Sequence, residues 1–207
     1  QVRSRIVRLA TSTNAYTSVL IQGSGTFAVE ATIGSVVPAE GRLLVVSNGA
    51  YGKRICLIAD RLNIPFIEMT CSETACPDPQ RLDQILSPDS SITHVAMVHC
   101  ETTTGILNPI RELGQIVKKY NRVLILDAMS SFGGIPFMVD EIGVDYLISS
   151  ANKCIQGVPG FGFVICHRET FEKTRGYARS LSLDLYDQWQ TMEAYNGKWR
   201  YTSPTHT

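Results

Sequence analysis

Short runs rich in valine, isoleucine and leucine recur along this chain, and amphipathic stretches of helical length lie between them. The apolar runs predict strands over 17–22, 42–46, 65–70, 94–99, 122–127, 146–150 and 161–166. The stretches between predict helices over 25–36, 50–62, 78–86, 109–120 and, with a weaker pattern, 139–142. This rhythm points to a largely parallel sheet, because parallel neighbours are joined by crossovers of about a dozen residues or more. The run Val123-Leu124-Ile125-Leu126 is apolar at every position, as suits a strand covered on both sides. The expected fold class is therefore α/β, a mainly parallel sheet with helices on both faces. A short Gly/Pro-rich loop, not a helix, joins 146–150 to 161–166. Those two strands are expected to be antiparallel or not adjacent. Beyond them the pattern gives helices over 168–176 and 185–195, then a polar and aromatic loop over 198–207.

A chain of 207 residues can bury one substantial core. Lys+Arg and Asp+Glu are equal at 19 each, so nothing suggests an electrostatic footprint for nucleic acid or an anionic membrane. No apolar run approaches the roughly 20 residues that span a bilayer, and no segment reads as a signal peptide. Six cysteines are scattered without a paired pattern, which suits reduced thiols in a cytoplasmic protein better than a disulfide scaffold. Cys71, Cys76, His94, His99 and Cys100 could be drawn as a metal cluster, but their spacing is not that of a zinc ribbon or finger. The chain starts at Gln1 and ends on Thr-His-Thr without a closing element, so a fragment of a longer protein is expected.

Open α/β sheets bind ligands beyond the carboxyl ends of their strands. Five polar clusters are predicted there: 23–26, 48–52, 101–105, 127–131 and 151–153. Gly23-Ser24-Gly25-Thr26 puts small residues and two hydroxyls at a helix start, which forms either a phosphate cradle or a simple Ser/Thr cap. Asp127 closes an apolar strand, where a carboxylate is costly unless paired. A loop hydrogen bond, a metal and a protonated pyridine nitrogen are the candidate partners. Of the lysines, Lys118 and Lys119 suit a solvated helix end, Lys53 and Lys173 exposed helix faces, and Lys198 a loop. Lys153 combines an apolar approach, small neighbours and glycines behind it. Partial desolvation there would leave a free amine for Schiff-base formation. A Gly-x-Ser-x-Gly hydrolase elbow is not present in Gly23-Ser24-Gly25.

At these residues the sequence resembles the class V aminotransferases of fold type I. The carrying runs are LIQGSGT (20–26), VSNGAYG (46–52), HCETTTGILNP (99–109), LDAMSSFGGIP (126–136), DYLISSANKCIQGVPGF (145–161), RSLSLDLY (179–186) and WRYTSPTHT (199–207). The resemblance implies that 1–207 is the large domain that binds pyridoxal 5′-phosphate. It also implies that the family's N-terminal segment and C-terminal small domain are missing, with the substrate-carboxylate arginine among the lost parts. Ser24, Gly25 and Thr26 would hold the cofactor phosphate, with Asn152 beside them. Tyr51 would stack on the pyridine, and Thr103 would bond its phenolic-oxygen side. Asp127 would pair with the ring nitrogen, and Lys153 would carry the Schiff base. Thr202 would reach the phosphate of a partner subunit, implying a homodimer with shared sites. The SSANKCIQGVPGF and RSLSLDLY runs imply 2-aminoethylphosphonate as donor and pyruvate as acceptor, in phosphonate catabolism. Donors of the alanine–glyoxylate or serine–pyruvate type, and an inactive truncated cofactor-binding module, are the alternatives. Neither Arg179 nor Arg200 matches a motif that gives it a role.

Overall fold

The structure is a computed structural model that describes residues 1–203. The end of the predicted terminal loop, 204–207, lies outside the described residues. In chain order the elements are α1 (Val2–Ala10), β1 (Tyr16–Gln22), α2 (Gly25–Val36), β2 (Arg42–Ser47), α3 (Ala50–Arg61), β3 (Phe66–Thr70), α4 (Pro79–Leu86) and β4 (Ile92–Val98). There follow β5 (Cys100–Glu101), β6 (Ile106–Leu107), α5 (Ile110–Lys119), β7 (Val123–Asp127), α6 (Val139–Ile142), β8 (Tyr146–Ser150), β9 (Phe161–His167), α7 (Arg168–Glu172) and α8 (Leu185–Ala194). Local chemistry sets many of the ends. Asp78 caps α4 by accepting the Gln80 N–H at 2.9 Å, with Pro79 in the first turn, where a missing N–H costs nothing. Asp184 caps α8 through the Asp187 N–H at 3.0 Å.

Seven strands form one sheet in the order β1-β9-β8-β7-β4-β2-β3. β2, β3, β4, β7 and β8 are mutually parallel. β9 pairs antiparallel with both β8 and β1, which leaves β1 running with the parallel set. The short Gly/Pro loop before β9 is the reason: it can return the chain only as an antiparallel neighbour. The predicted α/β class is thus the observed one. The hairpin of β5 and β6 was not foreseen, because two residues per strand carry no readable period. The predicted helix over 168–176 is shorter, Arg168–Glu172, and closes in turns before Gly176, which has φ +82°.

Successive side chains on a strand point to opposite faces, and here they feed two cores. Leu44, Val46, Val95, Met97, Leu124, Leu126, Leu147, Phe163 and Ile165 belong to the core under α1, α4, α5 and α6. Leu43, Val45, Ala96, Val98, Ile125, Ile148, Val164 and Cys166 belong to the core under α2, α3, α7 and α8. A Cβ added at Gly162 would stand 2.7 Å from the Ala28 Cβ, so only glycine lets α2 lie this close to β9. Among the described residues, no helix is long and apolar enough to cross a membrane.

One buried charge ties the far end of the sheet together. Asp145, 7% exposed, accepts the Leu124 N–H at 2.7 Å and the Thr170 hydroxyl at 3.0 Å, and it forms an ion pair with Lys118. Removing the carboxylate leaves the Leu124 N–H on β7 without its acceptor and takes the ion-pair partner from Lys118 on the last turn of α5. Asp145→Ala is expected to lower unfolding stability by about 3 kcal/mol, read as a drop in the urea midpoint with little change in slope.

Candidate active site

Because both sheet faces are covered, the open space for chemistry is at the rim where the parallel strands end. The segments after β1, β2, β4, β7 and β8 meet there around a cavity of about 180 Å³. Ser24, Gly25, Thr26, Tyr51, Asp127, Asn152 and Lys153 all line it. These are the predicted site residues except Thr103 and Thr202. A larger groove of about 740 Å³ lies at the opposite rim, between α1, the start of β1 and the end of α8. It holds none of the predicted residues and lies at the amino ends of the parallel strands, so its size carries no catalytic argument.

Ser24 stands at the N-cap of α2 without turning its hydroxyl onto the helix. The cap reading is therefore not what the sequence builds. The Gly25 and Thr26 N–H groups have no acceptor among the described residues, while the Phe27 N–H donates to the Ser24 carbonyl at 3.0 Å. The open pair stands at the positive end of a twelve-residue helix, a standing site for an anion. A Cβ at Gly25 would meet the Met129 sulfur at 2.4 Å. The absence of a side chain there is what lets the segment after β7 approach the cradle.

Asp127 ends β7 and is 3% exposed. Its Oδ1 accepts the Met129 N–H at 2.9 Å, and no cation lies within ion-pair distance among the described residues. Burial pushes the carboxyl up from 3.8 to about 6; the Met129 N–H and Arg54 oppose the rise, and the charge of Glu101 adds to it. A carboxylate this poorly compensated suits a cationic ligand atom.

Lys153 follows β8 in a turn, next to Asn152, whose Oδ1 accepts the Ser150 hydroxyl at 3.0 Å. The expectation of a partly desolvated lysine is not met. The apolar approach stops at Ala151, and Asn152 and Lys153 are both exposed on the rim. Tyr51 is half-buried in the first turn of α3, and its N–H donates to Glu101 Oε2 at 3.2 Å. Glu101 is fully buried and also accepts the Thr103 hydroxyl at 2.8 Å. Thr103 is not on the cavity wall, and its neighbour Thr102 lines the cavity instead. Thr202 lies on a different cavity, of about 420 Å³, with Gln22, Gly23 and Phe27. Arg54 also lines the site and was missed in the sequence. Its placement three residues after Tyr51, on the same face of a helix, was the signal available. Arg179 is remote: it donates to the Val37 and Pro38 carbonyls at 2.6 and 3.3 Å. No group of three or more His, Cys, Asp or Glu that could hold a metal occurs among the described residues.

Between 3.8 and about 6 the folded chain holds a proton on Asp127 that the unfolded chain has released. Its contribution to stability is therefore full below that window and is lost as the pH rises through it. Asp127→Asn removes the penalty. In cofactor-free protein near neutral pH it is expected to raise unfolding stability by about 1–3 kcal/mol. The gain should shrink as the pH is lowered through the same window, as followed by urea melts at several pH values.

Residues 1–200 match the family described as Aminotransferase class-V. The chain is 61% identical over 206 residues to the 2-aminoethylphosphonate–pyruvate transaminase of Vibrio vulnificus (strain CMCP6), covering 100% of this chain and 56% of that protein. It is 59% identical to the enzyme of the same name from Bacillus cytotoxicus, covering 100% and 57%. The chain thus spans little more than half the length of these curated relatives. Among solved structures, an aspartate aminotransferase from Thermus thermophilus superimposes with a TM-score of 0.87 at 22% identity, covering 98% of this chain and 56% of that one. That likeness concerns the fold, and the family match concerns the chain itself. With this fold and this rim of residues, the chain belongs to the class V aminotransferase family.

Proposed function

We propose that this chain is the large, pyridoxal-phosphate-binding domain of an enzyme that transfers the amino group of 2-aminoethylphosphonate to pyruvate, giving phosphonoacetaldehyde and L-alanine. One observation carries the reaction class. A buried carboxylate without a cation, a primary amine and an uncapped helix N-terminus open onto one cavity of about 180 Å³. Those groups fit a ligand with a protonated ring nitrogen, an aldehyde and a phosphate. The donor rests on relatives about 60% identical across the whole chain.

Pyridoxal phosphate, when bound, supplies the electron sink that lets a C–H bond beside nitrogen be broken. The rest falls to the chain. The α2 N-terminus with Ser24, Gly25 and Thr26 would hold the phosphate, and Asn152 would support it. Tyr51 would offer its ring face to the pyridine. Asp127 would keep the ring nitrogen protonated, and the cation gained would in turn draw the carboxyl back into its ionised form. Lys153 Nζ would anchor the cofactor, then be displaced by the donor amine and carry the proton between carbon atoms. Thr102, not Thr103, is the hydroxyl on the cavity wall from the 101–105 loop. Thr202, on its separate surface cavity, suits a contact with a second copy, so we propose a homodimer with shared sites. Six free cysteines suit a cytoplasmic setting.

In the full-length protein, 2-aminoethylphosphonate added without a keto acid is expected to convert the visible absorption of bound cofactor to that of the pyridoxamine form. Lys153→Ala should abolish the conversion. A spectrum that ignores this donor but responds to alanine or serine would move the donor assignment to those amino acids. A protein with no visible band after added pyridoxal phosphate would overturn the reading.

A further inference from the structure

Arg54 has no part in the mechanism above, yet its surroundings are those of an anion-binding residue. It is half-buried on α3. Its guanidinium carbon lies 4.7 Å from the centroid of the Tyr51 ring, and Nη1 lies 3.3 Å from the Thr26 hydroxyl oxygen. No carboxylate comes within ion-pair distance of it among the described residues, whereas the adjacent Lys53 pairs with Glu73 at 2.8 Å. A guanidinium has five N–H donors, and here one neutral hydroxyl is the single protein acceptor among the described residues. That leaves most of a planar, bidentate donor set unused on the wall of a cavity.

The hydroxyl it touches identifies the place. Thr26 belongs to the first turn of α2, where Ser24 leaves the helix N-terminus uncapped. Two independent sources of positive potential therefore converge on one spot: the open Gly25 and Thr26 N–H groups at the start of α2, and the formal charge of Arg54. Ser24, Gly25 and Thr26 carry no charge of their own, while a phosphate monoester brings close to two. A guanidinium beside them supplies the missing counter-charge, and its stacking on Tyr51 restricts it to a few orientations.

We propose that Arg54 is a phosphate-binding residue of the cofactor site and acts on the phosphate directly. This rests on the reading of the cavity as a pyridoxal phosphate site. The competing role is purely positional: Arg54 could hold the Tyr51 ring without touching the phosphate.

The test compares two probes, pyridoxal phosphate and phosphate-free pyridoxal, on cofactor-stripped full-length protein, wild type against Arg54→Gln and Arg54→Lys. Binding is read from the absorption and intrinsic fluorescence changes on titration. Arg54→Gln is expected to weaken pyridoxal phosphate about 10- to 100-fold and to leave pyridoxal within about twofold. Arg54→Lys, which keeps the charge but loses the fork, should fall between. The unchanged pyridoxal affinity doubles as the control for folding. Equal weakening of both probes would assign Arg54 to the Tyr51 ring and overturn the proposal, as would wild-type affinity for pyridoxal phosphate in Arg54→Gln. Wild-type protein that binds neither probe would instead sink the cofactor site itself, and Arg54's role with it.

Discussion

Each central strand of this sheet must bury both its faces. Leu44 and Val46 point into one core while Leu43 and Val45 point into the other, and the same alternation runs through β4, β7 and β8. A helix cannot be placed on one side only, because the second face would then expose an unbroken apolar surface. The rest follows from that constraint. Helices occupy both faces, the connections run over the top and bottom rims, and polar groups collect at the strand ends. The carboxyl rim gathers the segments after five parallel strands and the opposite rim does not, so the candidate site lies at the former.

Within that frame Asp127 is the place where stability is given up. It is the last residue of a strand that is buried from Leu124 onward, and one N–H at 2.9 Å does not offset its loss of solvent. Nearby Glu101 is buried too, but it is spread over donors from Tyr51 and Thr103 and fixes the two loops that frame the cavity. One carboxylate is thus satisfied by the two loops, while the other is buried with a single N–H donor. A chain selected for stability alone would place an amide at Asp127; a chain that must hold a protonated ring nitrogen needs the acid.

The fold was largely legible because the signals are periodic and local. The apolar runs gave the strands of the sheet to within a few residues, and the brevity of the 151–160 loop limited the last strand to an antiparallel or a non-adjacent place, of which the first is observed. The β5–β6 hairpin escaped because two-residue strands have no period. In the site, Asp127 and Lys153 stood out by contrast with their apolar approach, and the cradle by its small residues. What could not be read was direction and contact. Three consecutive threonines, Thr102 to Thr104, look alike in the sequence, but Thr103 and Thr104 turn their hydroxyls to Glu101 and Thr102 lines the cavity. Lys153 was expected to be partly buried, but the turn after Ala151 carries it to the surface. The i,i+3 spacing of Arg54 from Tyr51 was readable, but its contact with Thr26 on α2 is made by packing and not by any local pattern.

The central claim is that one cavity joins Lys153 covalently to a pyridoxal phosphate held against Asp127. The most direct test is to treat the cofactor-loaded full-length protein with borohydride, which reduces a carbon–nitrogen double bond to a stable amine, and then map the modified peptide by mass spectrometry. The account predicts the phosphopyridoxyl mass on Lys153 in wild type and its loss in Lys153→Ala. The same label on any other lysine, or none at all in a protein that binds the cofactor, would contradict it.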